Sequence, residues 1–517
     1  MAPSSASVPP EFSFRTRQHF WDHLKKYSDV PLNVVVIGGG IVGAGILREL
    51  SLQGIPLAFL FEKNDFASGT SGASSKLIHA GLRYLEQVWI SLKRLRLGSA
   101  WHYFKFVTEA SQERKILRGL APHLIKAKPI YFVLGEADDR SSLGVMMGVW
   151  LYYVIQLLQG QFFPPPRTVF RKKALEWVAP ELDHKKVKAL FSFWDSETDD
   201  ARLVIENLQC AHDMGSYALN YVELVRYKKE GDLVRCDLVN HDNGETLSVR
   251  AKILINASGP FLDDVRKREE GASPIPPTMD RVAGSHIDVY PAFTEESYYV
   301  TAGDGRLVFV LKRNEDGLTY SRIGTTERPL GEGEPSDDVK PTQNEIDYLK
   351  GLVLEFFPKA VLSETTIMNT DAGIRPLRRQ IGKDTFHKSR EHEIIKEGPV
   401  FHIVGVKLTD FRRVSSELMG LIPWEKLNLR LTDPKRSELI TLRPHDQEIN
   451  RMYVENDIIE TIRRTMVLHW KDYVLRRRGL GPRVLARMDP NAFYTEFDIM
   501  KAILNWDKKK AEEEKSR

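Results

Sequence analysis

The chain has 517 residues, 42% of them hydrophobic and 28% charged, with a formal net charge of +4. Such a length suggests two to four domains, and the balance is that of a soluble globular protein carrying too little charge to imply a nucleic-acid partner. Its two cysteines, Cys210 and Cys236, form no disulfide framework, Cys-x-x-Cys relay or iron–sulfur ligand set, and the fourteen histidines show no His-Glu-x-x-His spacing, so no metal site is expected.

Residues 1–20 are rich in Ser, with Arg15 and Arg17 against a single acid, Glu11. They read either as an organellar targeting segment or as an unstructured tail, and residues 1–31 are set apart on that ground. The apolar run Val34 to Ile37 then predicts a buried parallel strand, and Gly38-x-Gly40-x-x-Gly43 opens a helical pattern. A second strand, Leu57 to Phe61, ends in Glu62, at the spacing where a carboxylate takes ribose hydroxyls. Gly38 permits the tight turn, Gly40 lets the backbone approach a pyrophosphate, and Gly43 lets helix and strand pack closely. The diphosphate then meets the N–H groups and the positive dipole end of the helix. An ordinary βαβ crossover is the structural alternative.

Gln87 to Leu120 predicts one long basic helix, either a solvated face or a face resting on an anionic membrane. No run reaches the roughly 20 apolar residues that span a bilayer. The nearest, Leu143 to Leu158, reads as a buried core helix or as a segment entering one leaflet. Pro164-Pro165-Pro166 marks a rigid linker. Asp199 to Arg202 lead into a helix, and Asp242-Asn243-Gly244 is a turn between strands Leu233–Val239 and Thr246–Ala251. Strand 252–256 stops at Asn256-Ala257-Ser258-Gly259-Pro260, where it would return beside the first strand. Alternation through 285–330 predicts an antiparallel substrate domain, and 401–407 another buried strand. Beyond about residue 430 the pattern is helical only, with a frayed, charged end.

Between Asp65 and Glu86 lies a second motif, whose core is Ala67-Ser-Gly-Thr70-Ser71-Gly-Ala-Ser74-Ser-Lys76-Leu77-Ile-His79-Ala-Gly-Leu-Arg83-Tyr84-Leu-Glu86. Small hydroxyl residues let a backbone wrap a cofactor closely and supply donors. His79 and Arg83 are four apart, so on a helical turn they face the same way. A proton acceptor beside a phosphate binder suits oxidation of a phosphorylated alcohol; a satisfied histidine and a surface arginine are the plainer reading. This stretch closely resembles the signature of FAD-dependent, quinone-linked glycerol-3-phosphate dehydrogenases. Further segments resemble that family in the same order: Asp195 to Arg202, Asn256 to Pro260, Gly284-Ser285-His286, Ile323 to Thr326, Gly373 to Leu377, Ser389-Arg390 and Gly405 to Thr409. The resemblance runs from about residue 33 to 420, and Trp470 to Arg478 is similar to the family's C-terminal domain.

The resemblance implies an α/β flavoprotein with a Rossmann-like FAD domain, an antiparallel-sheet substrate domain and a helical C-terminal domain. Residues 32–425 would form the core, with FAD segments at 32–120, 190–270 and 365–425 and substrate segments at 121–189 and 271–364; 426–517 would be the helical domain. FAD contacts are expected from Gly38, Gly40, Gly43, Glu62, Thr70, Ser71, Ser74, Lys76, Leu77, Ala257, Gly259 and Lys407. Arg83, Arg375 and Arg390 resemble a cationic substrate pocket, whose planar guanidinium forks suit a phosphate dianion. Tyr84, His286 and Thr409 join them. His79 is the candidate base for the C2 hydroxyl, His286 its rival, and Lys407 would stabilise negative charge on the reduced flavin. Val406, Asp410 and Ala80 depart from residues usual in the family, and without that family's calcium-binding extension in these residues no calcium regulation is expected.

The implied reaction oxidises sn-glycerol 3-phosphate to dihydroxyacetone phosphate and passes electrons to a membrane quinone. An oxidase making hydrogen peroxide and a non-catalytic flavoprotein are the alternatives. Peripheral attachment to the mitochondrial inner membrane is expected, and a homodimer is left open.

Overall fold

The computed structural model describes residues 12–79, 81, 83–170, 172–273, 276–315, 318–331, 334, 339–380, 392–432, 442, 458–478 and 490–516. Helix α1 (Phe14–Lys25) corrects the expectation of a loose tail over these residues. Phe20, Trp21 and Leu24 are completely buried in the main core. Arg17, also buried, donates through Nη2 to Asn220 O at 2.6 Å and to Asn240 Oδ1 at 2.9 Å.

Strand Leu32–Ile37 is buried along its whole length, as a parallel strand covered on both faces must be. It pairs in parallel with Ala58–Phe61 on one side and Thr246–Asn256 on the other. Tyr217–Leu219 and Val400–Val404 extend this sheet in parallel, and Glu393–Glu397 closes one edge antiparallel. The hairpin partner Leu233–Asn240 lies antiparallel to Thr246–Asn256 and carries Val222–Glu230, completing eight strands. Helix α2 (Ile41–Leu52) follows the glycine turn and packs on helix Asp200–Asp213. Strands 32–37 and 246–256 run parallel, but the chain continues from the first to strand 58–61 on one side and from the second to strand 400–404 on the other. The crevice beyond their carboxyl ends, at this switch in strand order, is where such sheets bind ligands.

The second sheet has ten strands and is antiparallel except where Tyr298–Thr301 runs parallel to Lys126–Gly135. It takes strands from segments expected in the FAD unit, which corrects that allotment. Leu77–Ile78 pairs with Val187–Glu197, and Ile367–Arg378 pairs with Met279–Val289 over nearly its full length. Pairing of this kind is decided by long-range register, which sequence position alone does not carry.

The expected single helix over 87–120 is two, α3 (Arg83–Lys93) and α4 (Leu97–Leu120), because Leu95 at φ 57° breaks the first. Helix α5 (Ser142–Leu158) is not a buried core helix. Only Val149, Tyr152, Ile155 and Gln156 are buried; Leu143, Met147, Trp150, Val154 and Leu158 face outward. Among the described residues no helix is long and apolar enough to cross a membrane.

The described C-terminal residues are helical, with Ile458–Arg464, a turn of helix from Trp470 to Arg477, Pro490–Ile503 and Lys508–Ser516. The end is not frayed. Glu514 is buried and accepts from His469 Nδ1 at 2.7 Å and Trp470 N at 3.0 Å. This unit packs on Leu318, Tyr320 and Met368 of the second sheet. It also sends Arg476 and Arg477 onto the buried carboxylate of Asp65. Burial raises that carboxyl's pKa, but the two guanidinium groups outweigh burial and hold it at about 2.

Candidate active site

A cavity of about 640 Å³ lies where the two sheets meet. Its floor is the turn after the first strand. Gly38, at φ 110°, sits so close to the end of strand 246–256 that an added Cβ would lie 2.6 Å from Ala257 O. At Gly43 an added Cβ would lie 1.9 Å from Gly38 O, so helix and turn can close up only without a side chain. Two amides of this turn have side-chain partners: Gly39 N–H donates to Glu62 Oε2 at 2.7 Å and Ile41 N–H to Ser71 Oγ at 2.9 Å. Burial raises the pKa of Glu62, against the bonds it accepts from Asn64 and Gly39.

Gly40, Thr70, Ser74, Leu77 and Gly259 also line this cavity. Lys76 does not. Its side chain is buried and paired with Asp200 Oδ1 at 3.0 Å, while Asp200 Oδ2 accepts from Ser74 Oγ at 2.6 Å. Burial lowers the lysine pKa, but Asp200 more than restores it, so the ammonium stays charged. Lys76 therefore fixes the hydroxyl-rich loop in place, and the expected direct cofactor contact by its side chain is replaced by that support.

From the second sheet come His286 and Arg375. Strands 279–289 and 367–378 are paired so that Gly284 faces Gly373, His286 faces Asp371 and Val282 faces Arg375. Two motifs some ninety positions apart are thus cross-strand neighbours. His286 is buried; its Nε2 lies 2.9 Å from Ser75 Oγ and its Nδ1 3.4 Å from Asp371 Oδ1. Burial, helped by Arg322 and opposed by Asp371, lowers its pKa to about 4, so the ring is neutral at neutral pH. Arg322 ties the surroundings together, gripping both Asp288 oxygens at 2.9 Å and donating to Asp371 at 2.8 Å and to Ser74 O at 3.1 Å. Arg375 lines the cavity, with Nη1 2.7 Å from Glu327 Oε1 and Nη2 3.0 Å from Thr325 Oγ1.

His79 lines the same cavity, but not from a helix. It follows strand Leu77–Ile78, Gly81 turns the chain at φ 78°, and α3 begins only at Arg83, so the helical pairing expected for His79 and Arg83 does not form. Thr409 Oγ1 donates to His79 O at 3.3 Å. Lys407 also lines the cavity, its Nζ 3.8 Å from the Phe106 ring centroid and 4.7 Å from that of Tyr84. Tyr84 supports Lys407 from outside the cavity lining. The Arg83 side chain and Arg390 lie outside the described residues. Among the described residues no cluster of His, Cys, Asp or Glu has the form of a metal site.

Residues 33–406 match the FAD dependent oxidoreductase family, DAO. The aerobic glycerol-3-phosphate dehydrogenase of Staphylococcus epidermidis is 31% identical over 409 residues, covering 78% of this chain and 69% of that protein. The chain belongs to the FAD-dependent glycerol-3-phosphate dehydrogenase family. In fold this family member is similar to the Bacillus halodurans glycerol-3-phosphate dehydrogenase complexed with FAD (TM-score 0.71, 21% identity, covering 97% and 96% of the two chains). It is also similar to the L-alpha-glycerophosphate oxidase of Mycoplasma pneumoniae (TM-score 0.54, 16% identity, covering 80% and 99%).

FAD is the cofactor of this glycerol-3-phosphate dehydrogenase relative, and the residues fit it. The turn that no Cβ could enter at Gly38 or Gly43 gives a diphosphate close access to backbone, and Glu62 stands at the strand end where ribose hydroxyls are bound. Sequence reasoning missed Ser75, Asp371, Arg322 and Asp200. Asp371 could have been found from the register of the two motifs, since pairing Gly284 with Gly373 sets it opposite His286.

Proposed function

We propose that the protein oxidises sn-glycerol 3-phosphate to dihydroxyacetone phosphate and delivers the electrons to a membrane quinone. The observation that carries the first half is the meeting of Arg375, Lys407, His79 and His286 with the glycine cradle in one cavity. FAD, when bound, supplies the acceptor for the hydride leaving C2. The chain's own groups do the rest. Arg375 receives the phosphate, already oriented by Glu327 and Thr325. His79 takes the proton of the C2 hydroxyl as the C–H bond breaks, so the alcohol becomes a ketone. Lys407 places a positive charge beside the site where electrons accumulate. A second reading gives the proton to His286, favoured by its contact with Asp371, which orients the ring and supports the charge it would acquire.

Support for a membrane acceptor comes from α3, α4 and α5. Leu92, Leu95, Leu97 and Trp101 are exposed around the α3–α4 turn, interleaved with exposed Lys93, Arg94 and Arg96. The outer face of α5 adds Leu143, Met147, Trp150 and Leu158. Apolar side chains with a basic fringe suit the surface of an anionic bilayer. We further propose the mitochondrial inner membrane as the location, read from the composition of residues 1–20; import of the tagged chain by isolated mitochondria tests it.

The deciding experiment is anaerobic titration of the yellow holoprotein with sn-glycerol 3-phosphate, followed by quinone or oxygen. Bleaching by the substrate and rapid recovery with quinone support the proposal. Recovery with oxygen and stoichiometric peroxide would make it an oxidase, and absence of bleaching would remove the substrate assignment.

A further inference from the structure

A second cavity, of about 1000 Å³, lies between α3, α5 and the second sheet, outside the flavin site. Its walls are mostly apolar, with Leu85, Val88, Val149 and Leu151 among them, and Trp89 and Met147 stand at once in its lining and on the exposed apolar face. One side is polar. Arg140 donates to Glu86 Oε1 at 3.1 Å, to Asp138 at 3.1 Å and to Thr301 Oγ1 at 3.3 Å. The size, apolar lining and few convergent polar groups are those of a small-molecule site.

What lies between the two cavities is informative. Tyr299 lines the second cavity and stacks on Phe309, its cross-strand partner, with centroids 4.2 Å apart and planes 10° from parallel. Phe309 in turn lies 6.4 Å from the ring of His79, which lines the first cavity. A line of neighbouring rings, Tyr299, Phe309 and His79, therefore runs from the second cavity to the first.

We propose that this second cavity seats the ring of an isoprenoid quinone and that the Tyr299–Phe309 stack is the partition across which electrons reach it. The inference rests on the glycerol-3-phosphate reading above. The ring's two carbonyl oxygens match donors such as Arg140, and its apolar tail leaves between Trp89 and Met147 toward the membrane-facing surface. Two electrons and two protons convert the quinone to the quinol. The electrons come from the reduced flavin, which releases its own proton into its cavity as it is reoxidised. The two protons taken up come from solvent by way of Glu86, whose side chain is 35% exposed at the rim. Together with substrate oxidation, the balance is one alcohol and one quinone giving one ketone and one quinol.

Gly148 lines the cavity with nothing within 4 Å of where its Cβ would stand, so a side chain there starts in open space at the cavity. Leucine also favours the helix over glycine. The test uses detergent-solubilised holoenzyme without lipid, reduced anaerobically by sn-glycerol 3-phosphate and mixed with ubiquinone-1 or ferricyanide. For Gly148→Leu and Gly148→Phe, reoxidation by the quinone should fall at least tenfold. Flavin reduction by substrate and reoxidation by ferricyanide should stay within twofold of the unaltered enzyme. Tyr299→Leu should slow reoxidation by the quinone at saturating quinone while leaving reoxidation by ferricyanide within twofold. Unchanged quinone rates in both Gly148 variants would overturn the proposal, as would equal losses with ferricyanide, or stoichiometric fatty acid or phospholipid in the purified protein that quinone does not displace. If substrate bleaches the flavin but quinone never restores it, this inference alone fails. If substrate never bleaches it, the underlying functional reading fails.

Discussion

Asp371 and His286 are cross-strand partners, and the aspartate's Oδ1 lies 3.4 Å from the imidazole's Nδ1. This contact makes the two candidate bases separable. With His79 as the base, His79→Ala should lower kcat by about 10²–10⁴-fold while the protein stays yellow, and Asp371→Asn should cost less than tenfold. The reverse order in stopped-flow flavin reduction would move the role to His286.

The same histidine gives a pH dependence with a defined sign. Its pKa is about 4 in the folded protein against an ordinary 6.5. Between these values the unfolded chain binds the extra proton, so this group's contribution to stability is complete above pH 6.5 and is lost as pH falls toward 4. Replacing His286 with Gln should flatten that part of the stability curve in urea melts from pH 4 to pH 7; an unchanged slope would refute the assignment.

Arg375→Ala should raise KM for the phosphorylated substrate. A lost charge-assisted bond of about 1.5–3 kcal/mol corresponds to roughly 10–150-fold. FAD content should be unchanged, because Arg375 stands on the second sheet, away from the glycine turn. Arg375→Lys should recover only part of the loss, lacking the fork. Unaltered KM in the alanine variant would take Arg375 out of the site.

Gly43→Ala is expected to give a colourless protein, since its methyl carbon would stand 1.9 Å from Gly38 O. Absorbance of the purified protein at flavin wavelengths measures this directly, and full FAD occupancy would show that the turn can open.

Deleting residues 1–31 should abolish folding. Loss of buried Trp21 alone costs about 3–5 kcal/mol, and Arg17 leaves Asn220 and Asn240 without their buried donor. A truncated chain with an unchanged melting temperature would contradict this.

Much of the first sheet was legible because its signals are local. A strand buried on both faces is a plain apolar run, and the turn after Ile37 needs glycine at stated positions. The second sheet was legible as alternation but not as an assembly. Nothing near Ile367–Arg378 says that it joins Met279–Val289, because register is decided by long-range pairing. The same limit hid Asp371 and Asp200, each of which acts on a residue more than eighty positions away. Helix α5 misled for another reason. Its apolar side chains point both inward and outward, and apolar content alone does not tell a core face from an exposed one.

Asp65 stands at the head of the hydroxyl-rich loop, yet its buried charge is neutralised by Arg476 and Arg477, more than four hundred positions later. During synthesis the chain must be made at least as far as Arg477 before that anion meets both counter-ions. The hydroxyl-rich loop is thus expected to be fixed only once the C-terminal helices have docked, and flavin binding to follow that step.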